Sequence, residues 1–151
     1  MKHQEILKAG TSIWLDDLSR SKLTGLDPHS LPHRINHDGV RGVTTNPSIF
    51  GAAITGADEY AADIASLSGK SVDEVVRTLT TDDVRVACDL FAEIYNTSKG
   101  IDGRVSIEVD PRHAHKTQET IDEGIALHTL VGRPNVMIKV PATKAGLPAI
   151  T

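Results

Sequence analysis

Four positions at the ends of short apolar runs carry groups able to act on a carbonyl compound. Lys139 sits between Ile138 and Val140 in the run 135–140 (NVMIKV). A lysine on a buried strand is costly unless it is paired or neutral. Burial lowers a lysine's pKa, and the free amine can attack a carbonyl to form a Schiff base. The same position also suits a lysine that snorkels from a strand end to solvent. Asp16 and Glu108 close two other runs. Schiff-base aldol chemistry must protonate a carbinolamine, expel water and move protons on a substrate hydroxyl. Carboxyl groups of environment-tuned pKa can do this. Either carboxylate can equally cap a helix or pair with an arginine. Thr44, Thr45 and Asn46 end a further run, just before Pro47. An asparagine amide both donates and accepts, which suits a sugar hydroxyl, and it also suits a helix N-cap. Asp17, next to Asp16, points the other way and is read as the N-cap of the following turn.

These groups need strands to hold them. Four runs are short and β-branched enough to be strands: 12–16 (SIWLD), 40–45 (VRGVTT), 104–109 (RVSIEV) and 135–140. Helical patterns lie between them. Val84, Ala87, Cys88, Phe91, Ile94 and Tyr95 recur at helical spacing, which predicts a helix over about 82–95 with Thr80 near its cap. Ser71 and Glu74 form a capping box for a separate, shorter helix before it. A further helix follows Asp110-Pro111 and runs to about Val131, stopping at Gly132 and Pro134. Asn46-Pro47 opens a helix that reaches Ile54.

Strands alternating with helices imply a parallel sheet built from βα units. Strand parity then chooses between an open sheet and a barrel. Ile13 and Leu15 oppose Trp14 and Asp16; Val105, Ile107 and Val109 oppose Ser106 and Glu108; Val136, Ile138 and Val140 oppose Met137 and Lys139. Three strands thus carry one ionisable group near the C-terminal end, opposite an aliphatic set. In a (β/α)8 TIM barrel the aliphatic set faces the outer helices and the ionisable groups converge at the top of the interior. No GxGxxG or GxxxxGK[ST] phosphate loop is present. A complete barrel takes roughly 250 residues. The 151 residues here are therefore expected to form a single domain, 1–151, covering about the first four βα units and truncated at the C-terminus.

Composition narrows the function classes. The chain is 39% hydrophobic and 24% charged with a net charge of −4, and it has no basic stripe of the kind nucleic acid requires. No run approaches the ~20 apolar residues of a membrane span, and the N-terminus lacks a signal-peptide core. A lone cysteine, Cys88, allows no internal disulfide and lies on the apolar face of its helix. Cytoplasmic location follows as the expectation, with neither nucleic acid nor membrane as a partner. His29, His33 and His37 recur every four residues, which on a helix gives one solvated face; no acidic or cysteine ligand accompanies them in a recognised metal pattern.

Together these segments resemble the transaldolase family. Residues 40–50 (VRGVTTNPSIF), 104–112 (RVSIEVDPR), 135–143 (NVMIKVPAT) and 12–17 (SIWLDD) are similar to four of its strand motifs, in the family's order and over nearly the whole chain. The spelling IWLDDLSR and the long stretch before TTNP are similar to the longer, actinobacterial-type members. The resemblance implies transfer of a dihydroxyacetone unit between sugar phosphates through a Schiff base on Lys139. It implies that Asp16 is the acid/base of carbon–carbon cleavage and that Glu108 activates the water of imine formation. Asn46 would hold the bound dihydroxyacetone unit, with Thr44 lining the same pocket. No metal or organic cofactor is implied, because the protonated imine is the electron sink. The family's later strand-end residues, phosphate-binding arginines among them, have no counterpart before Thr151. Alternatives are a class I fructose 6-phosphate aldolase-like lyase, or an inactive half-barrel that self-associates through its open edges.

Overall fold

The computed structural model describes residues 2–25, 27–55 and 58–150. Four strands, β1 (Ile13–Asp16), β2 (Val40–Thr44), β3 (Arg104–Glu108) and β4 (Val136–Lys139), form one parallel sheet in sequence order. The strands fall where alternation placed them, each trimmed by a residue or two. Asp16 lies opposite Thr44, and Glu108 opposite Lys139; because Val43 pairs with Val105, the ends of β3 and β4 reach about two residues beyond Thr44.

Among the described residues, eight α-helices accompany the strands: α1 (Lys2–Lys8), α2 (Arg20–Thr24), α3 (Leu31–His33), α4 (Pro47–Ile54), α5 (Ala61–Ser66), α6 (Val72–Leu90), α7 (Ala92–Thr97) and α8 (Thr117–Val131). The Ser71–Glu74 capping box is present, but it opens one long helix rather than a short one. No glycine or proline interrupts 72–90, and Thr80 and Thr81 return their hydroxyls to the Arg77 carbonyl, so Thr80 caps nothing. The predicted start at about residue 82 is therefore mid-helix, and the chain breaks instead at Phe91, before α7. After Asp110 a 3-10 turn, Pro111–His113, precedes α8, which begins only at Thr117 and ends at Gly132 with φ 60°.

The helices cover one face of the sheet. Val43, Val105, Ile107, Val109 and Val136 are buried there with Val84, Ala87, Cys88 and Phe91 of the α6 layer and Leu127 and Val131 of α8. Burying this aliphatic set drives the assembly, at about 25 cal/mol per Å² of apolar surface removed from water. Cys88 is a core residue, and burial pushes its thiol up to about 12. The opposite face carries Trp14, Asp16, Thr44, Ser106, Glu108, Met137 and Lys139. Trp14 lies flat over Gly42, where a Cβ would come within 2.6 Å of the indole. Trp14 and Met137 remain 38% and 42% exposed, so this face is open.

The histidine triplet does not share a helical face. His29 precedes α3, and the chain winds as a π-helical turn over Arg34–Asp38. His33 and His37 stack at 4.2 Å, and His29 Nδ1 lies 3.5 Å from Arg34 Nη2. Among the described residues no group of three or more His, Cys, Asp or Glu is placed to hold a metal ion, and no helix is long and apolar enough to cross a membrane.

Candidate active site

The open face converges on Lys139. Strand parity sends Lys139, Glu108, Thr44 and Asp16 to that face, because alternate side chains of a strand point the same way. Lys139 meets Glu108 and Thr44 there, and Asp16 lies beside Thr44 on the far side of β2. Lys139 Nζ lies 3.2 Å from Glu108 Oε2. It donates to the Thr45 backbone carbonyl at 2.9 Å and to Thr44 Oγ1 at 3.4 Å. Thr44 Oγ1 also accepts from Ser106 Oγ at 3.0 Å. The Thr45 hydroxyl donates to the Ser106 carbonyl at 2.7 Å.

The lysine is not sealed off. Its side chain is 41% exposed, against 23% for Glu108. The desolvation expected of a lysine in an apolar strand is thus only partial here. Its tip is therefore reachable from the open face. Asp16 ends β1 exposed, one strand beyond Thr44. Asp17 turns away and pairs with Lys22, but Ser19, not Asp17, is the N-cap of α2. Asp110 also turns away: its side chain caps the 3-10 turn and binds Arg112, which holds the carboxyl below its ordinary value.

Asn46 serves the helix-cap role that its residue type also suits. Its Oδ1 accepts the Ile49 backbone N–H at 3.0 Å, so the carbonyl end of the amide caps α4. The cap commits the acceptor and leaves only the amide NH₂ to address a ligand. Asn46 borders a cleft of about 440 Å³ between α4, α6 and α8, floored by Phe50, Ile107 and Leu127. Glu108 also lines that cleft, but Lys139 does not.

Two features escaped the sequence reading. Ser106 shares the parity of Glu108, and its hydroxyl joins the Thr44–Lys139 chain; parity alone could have found it. The second is a buried cluster behind the β1–α2 connection. Arg20 Nε donates to Asp83 Oδ1 at 3.0 Å, and Tyr60 Oη donates to Asp83 Oδ2 at 2.6 Å. The Arg20 backbone N–H donates to Tyr60 Oη at 3.0 Å, and Arg20 also pairs with Asp63. Burial raises the pKa of Asp83 against the pull of Tyr60 and Arg20, and burial likewise raises that of Tyr60. Residues 20, 60 and 83 share no local pattern, so only the fold reveals this cluster.

A parallel sheet with helices on one face, and a lysine, a carboxylate and hydroxyls meeting near its C-terminal strand ends on the other, is the architecture of the (β/α) barrels. The family model for transaldolase/fructose-6-phosphate aldolase matches residues 13–151. The chain belongs to that family, and its four βα units are the first four of the TIM-barrel fold. It is 57% identical over 146 residues to a transaldolase of Mycolicibacterium smegmatis, covering 95% of this chain and 38% of that protein. It is 58% identical over 144 residues to transaldolase 1 of Streptomyces avermitilis, covering 94% and 37%. A transaldolase of Mycobacterium tuberculosis is 54% identical over 145 residues, covering 95% and 38%. The chain thus spans a little over a third of the length of these relatives.

Proposed function

We propose that this chain supplies the Schiff-base half of a transaldolase site. Lys139 Nζ attacks the C2 carbonyl of a ketose phosphate such as sedoheptulose 7-phosphate, and the carbinolamine loses water to an iminium. Glu108 handles the water of that step. Asp16 takes the proton of the C4 hydroxyl as the C3–C4 bond breaks, and erythrose 4-phosphate leaves. The electron pair enters the iminium, giving an enamine. The enamine attacks glyceraldehyde 3-phosphate, and hydrolysis of the new imine releases fructose 6-phosphate. On this reading the protein works in the cytoplasm, in the pentose phosphate pathway. Thr44 lines the donor pocket. The Asn46 amide NH₂ contacts the bound dihydroxyacetone unit, and its carbonyl stays with the helix cap. The strand edges at β1 and β4 are where the rest of a barrel, or a second copy, completes the hydrogen-bond ladder.

One observation carries this reading. A reachable lysine amine at a strand end stands within 3.2 Å of a carboxylate able to serve the imine chemistry. The test is borohydride reduction of the natural full-length protein with fructose 6-phosphate. The expected result is a covalent adduct on Lys139 that Lys139→Ala abolishes; an undiminished adduct in the variant sinks the assignment. Turnover that depends on an acceptor aldehyde marks a transferase, and release of free dihydroxyacetone without one marks the aldolase instead.

A further inference from the structure

We propose that Thr45 is a positioning residue for Lys139, acting through a lock between β2 and β3 that sets where the amine points. The proposal rests on the Schiff-base reading of Lys139. Thr45 is completely buried, and each end of the residue does a different job. Its hydroxyl donates to the Ser106 carbonyl of β3 at 2.7 Å. Its own carbonyl accepts Lys139 Nζ at 2.9 Å, the shorter of that group's two hydrogen bonds to β2 and its end. A return bond runs the other way, from Ser106 Oγ to Thr44 Oγ1 at 3.0 Å, and Thr44 Oγ1 is the second acceptor of Lys139. Ser106 is itself 3% exposed. The register makes the lock necessary. Described β2–β3 pairing ends at Val43↔Val105, whereas β3–β4 pairing continues to Glu108↔Lys139. Thr44 and Thr45 therefore lie past the last paired residue of β2 on this side. Two side-chain bonds replace the missing ladder rungs, just where Lys139 needs fixed acceptors.

A flexible four-carbon lysine stem gains a single direction only if its acceptors are held. A displaced Thr45 carbonyl leaves the amine tethered only to Glu108 and, by the longer bond, to Thr44 Oγ1, and free to swing over the open face. The imine-forming geometry then becomes one rotamer among several. A hydroxyl is essential at position 45 and shape is not, so Thr45→Ser retains the lock and Thr45→Val breaks it at nearly constant volume.

The experiment uses the natural full-length protein with two readouts. The first is the rate of borohydride trapping with fructose 6-phosphate. The second needs no substrate: acetylation of Lys139 by a sulfonated N-hydroxysuccinimide ester, read by peptide mass against exposed Lys144 in the same chain. In Thr45→Val, trapping is expected to fall about tenfold, the factor set by ~1.4 kcal/mol of lost orientation. Lys139 acetylation is expected to rise about threefold relative to Lys144, and Thr45→Ser should restore both rates. Circular dichroism of each variant separates this pattern from unfolding, and Thr45→Ala carries the same test if the valine methyl disturbs packing. Wild-type rates for both readouts in folded Thr45→Val overturn the lock while leaving Lys139 as the Schiff base. A wild-type protein that traps no sugar overturns the Schiff-base reading, and acetylation still decides whether Thr45 restrains Lys139.

Discussion

The Arg20–Tyr60–Asp83 cluster gives the sharpest stability prediction. The Asp83 side chain is 3% exposed and that of Arg20 19%, so the pair is shielded from water and salt far better than a surface bridge. Tyr60→Phe keeps the ring stacked under the Arg20 guanidinium, 4.6 Å from its centroid, and removes only the hydroxyl. That deletes a 2.6 Å bond to the carboxylate and strands the Arg20 backbone N–H. A hydrogen bond to a charged group is worth about 1.5–3 kcal/mol, so the expected loss is about 2–3 kcal/mol. Arg20→Met leaves the carboxylate buried without its cation and should cost about 3–5 kcal/mol. The sign with pH follows from Asp83. Burial raises its folded pKa above the ordinary 3.8. Such a carboxyl loses folding stability as pH climbs from the unfolded value through the folded one. Removing Arg20 raises the folded value further. The deficit of Arg20→Met is therefore smallest at acid pH and grows as pH rises toward neutral. Urea titrations of the full-length protein at pH 4.5 and 7.5, with the double variant to close the cycle, measure this. Singles that cost under about 0.5 kcal/mol at pH 7.5, or a deficit that shrinks as pH rises, refute the reasoning.

Two further outcomes test the frame around the site. Asn135→Ala should cost about 2–3 kcal/mol by urea denaturation, because its fully buried amide donates at 2.8 Å to both the Cys88 and Gly103 carbonyls, tying α6 to the entry of β3. Cys88 should stay unreactive toward an aromatic disulfide reagent at pH 8 in the folded protein and react at once in denaturant, since it is wholly buried and its thiol is held near 12.

The residues themselves determined the strands, their order along the chain and the face each side chain takes. Parity follows from covalent geometry, so Ile107 and Glu108, or Ile138 and Lys139, declare opposite faces without any knowledge of neighbours. Caps built from adjacent residues, such as Ser71–Glu74 and Asn46–Pro47, were equally legible because their partners lie three residues apart. Helix continuity was not: Thr80 reads as a start signal, yet its hydroxyl turns back on its own helix once α6 packs against β3 and α8. Nor could local pattern reveal distances between strands. Register decides that Lys139 meets Glu108 and the Thr45 carbonyl, and that Asp16 stands one strand further off beside Thr44. The Arg20–Tyr60–Asp83 cluster joins residues 63 positions apart at its widest. Its existence depends on low-dielectric burial that three separate segments create only when they pack together.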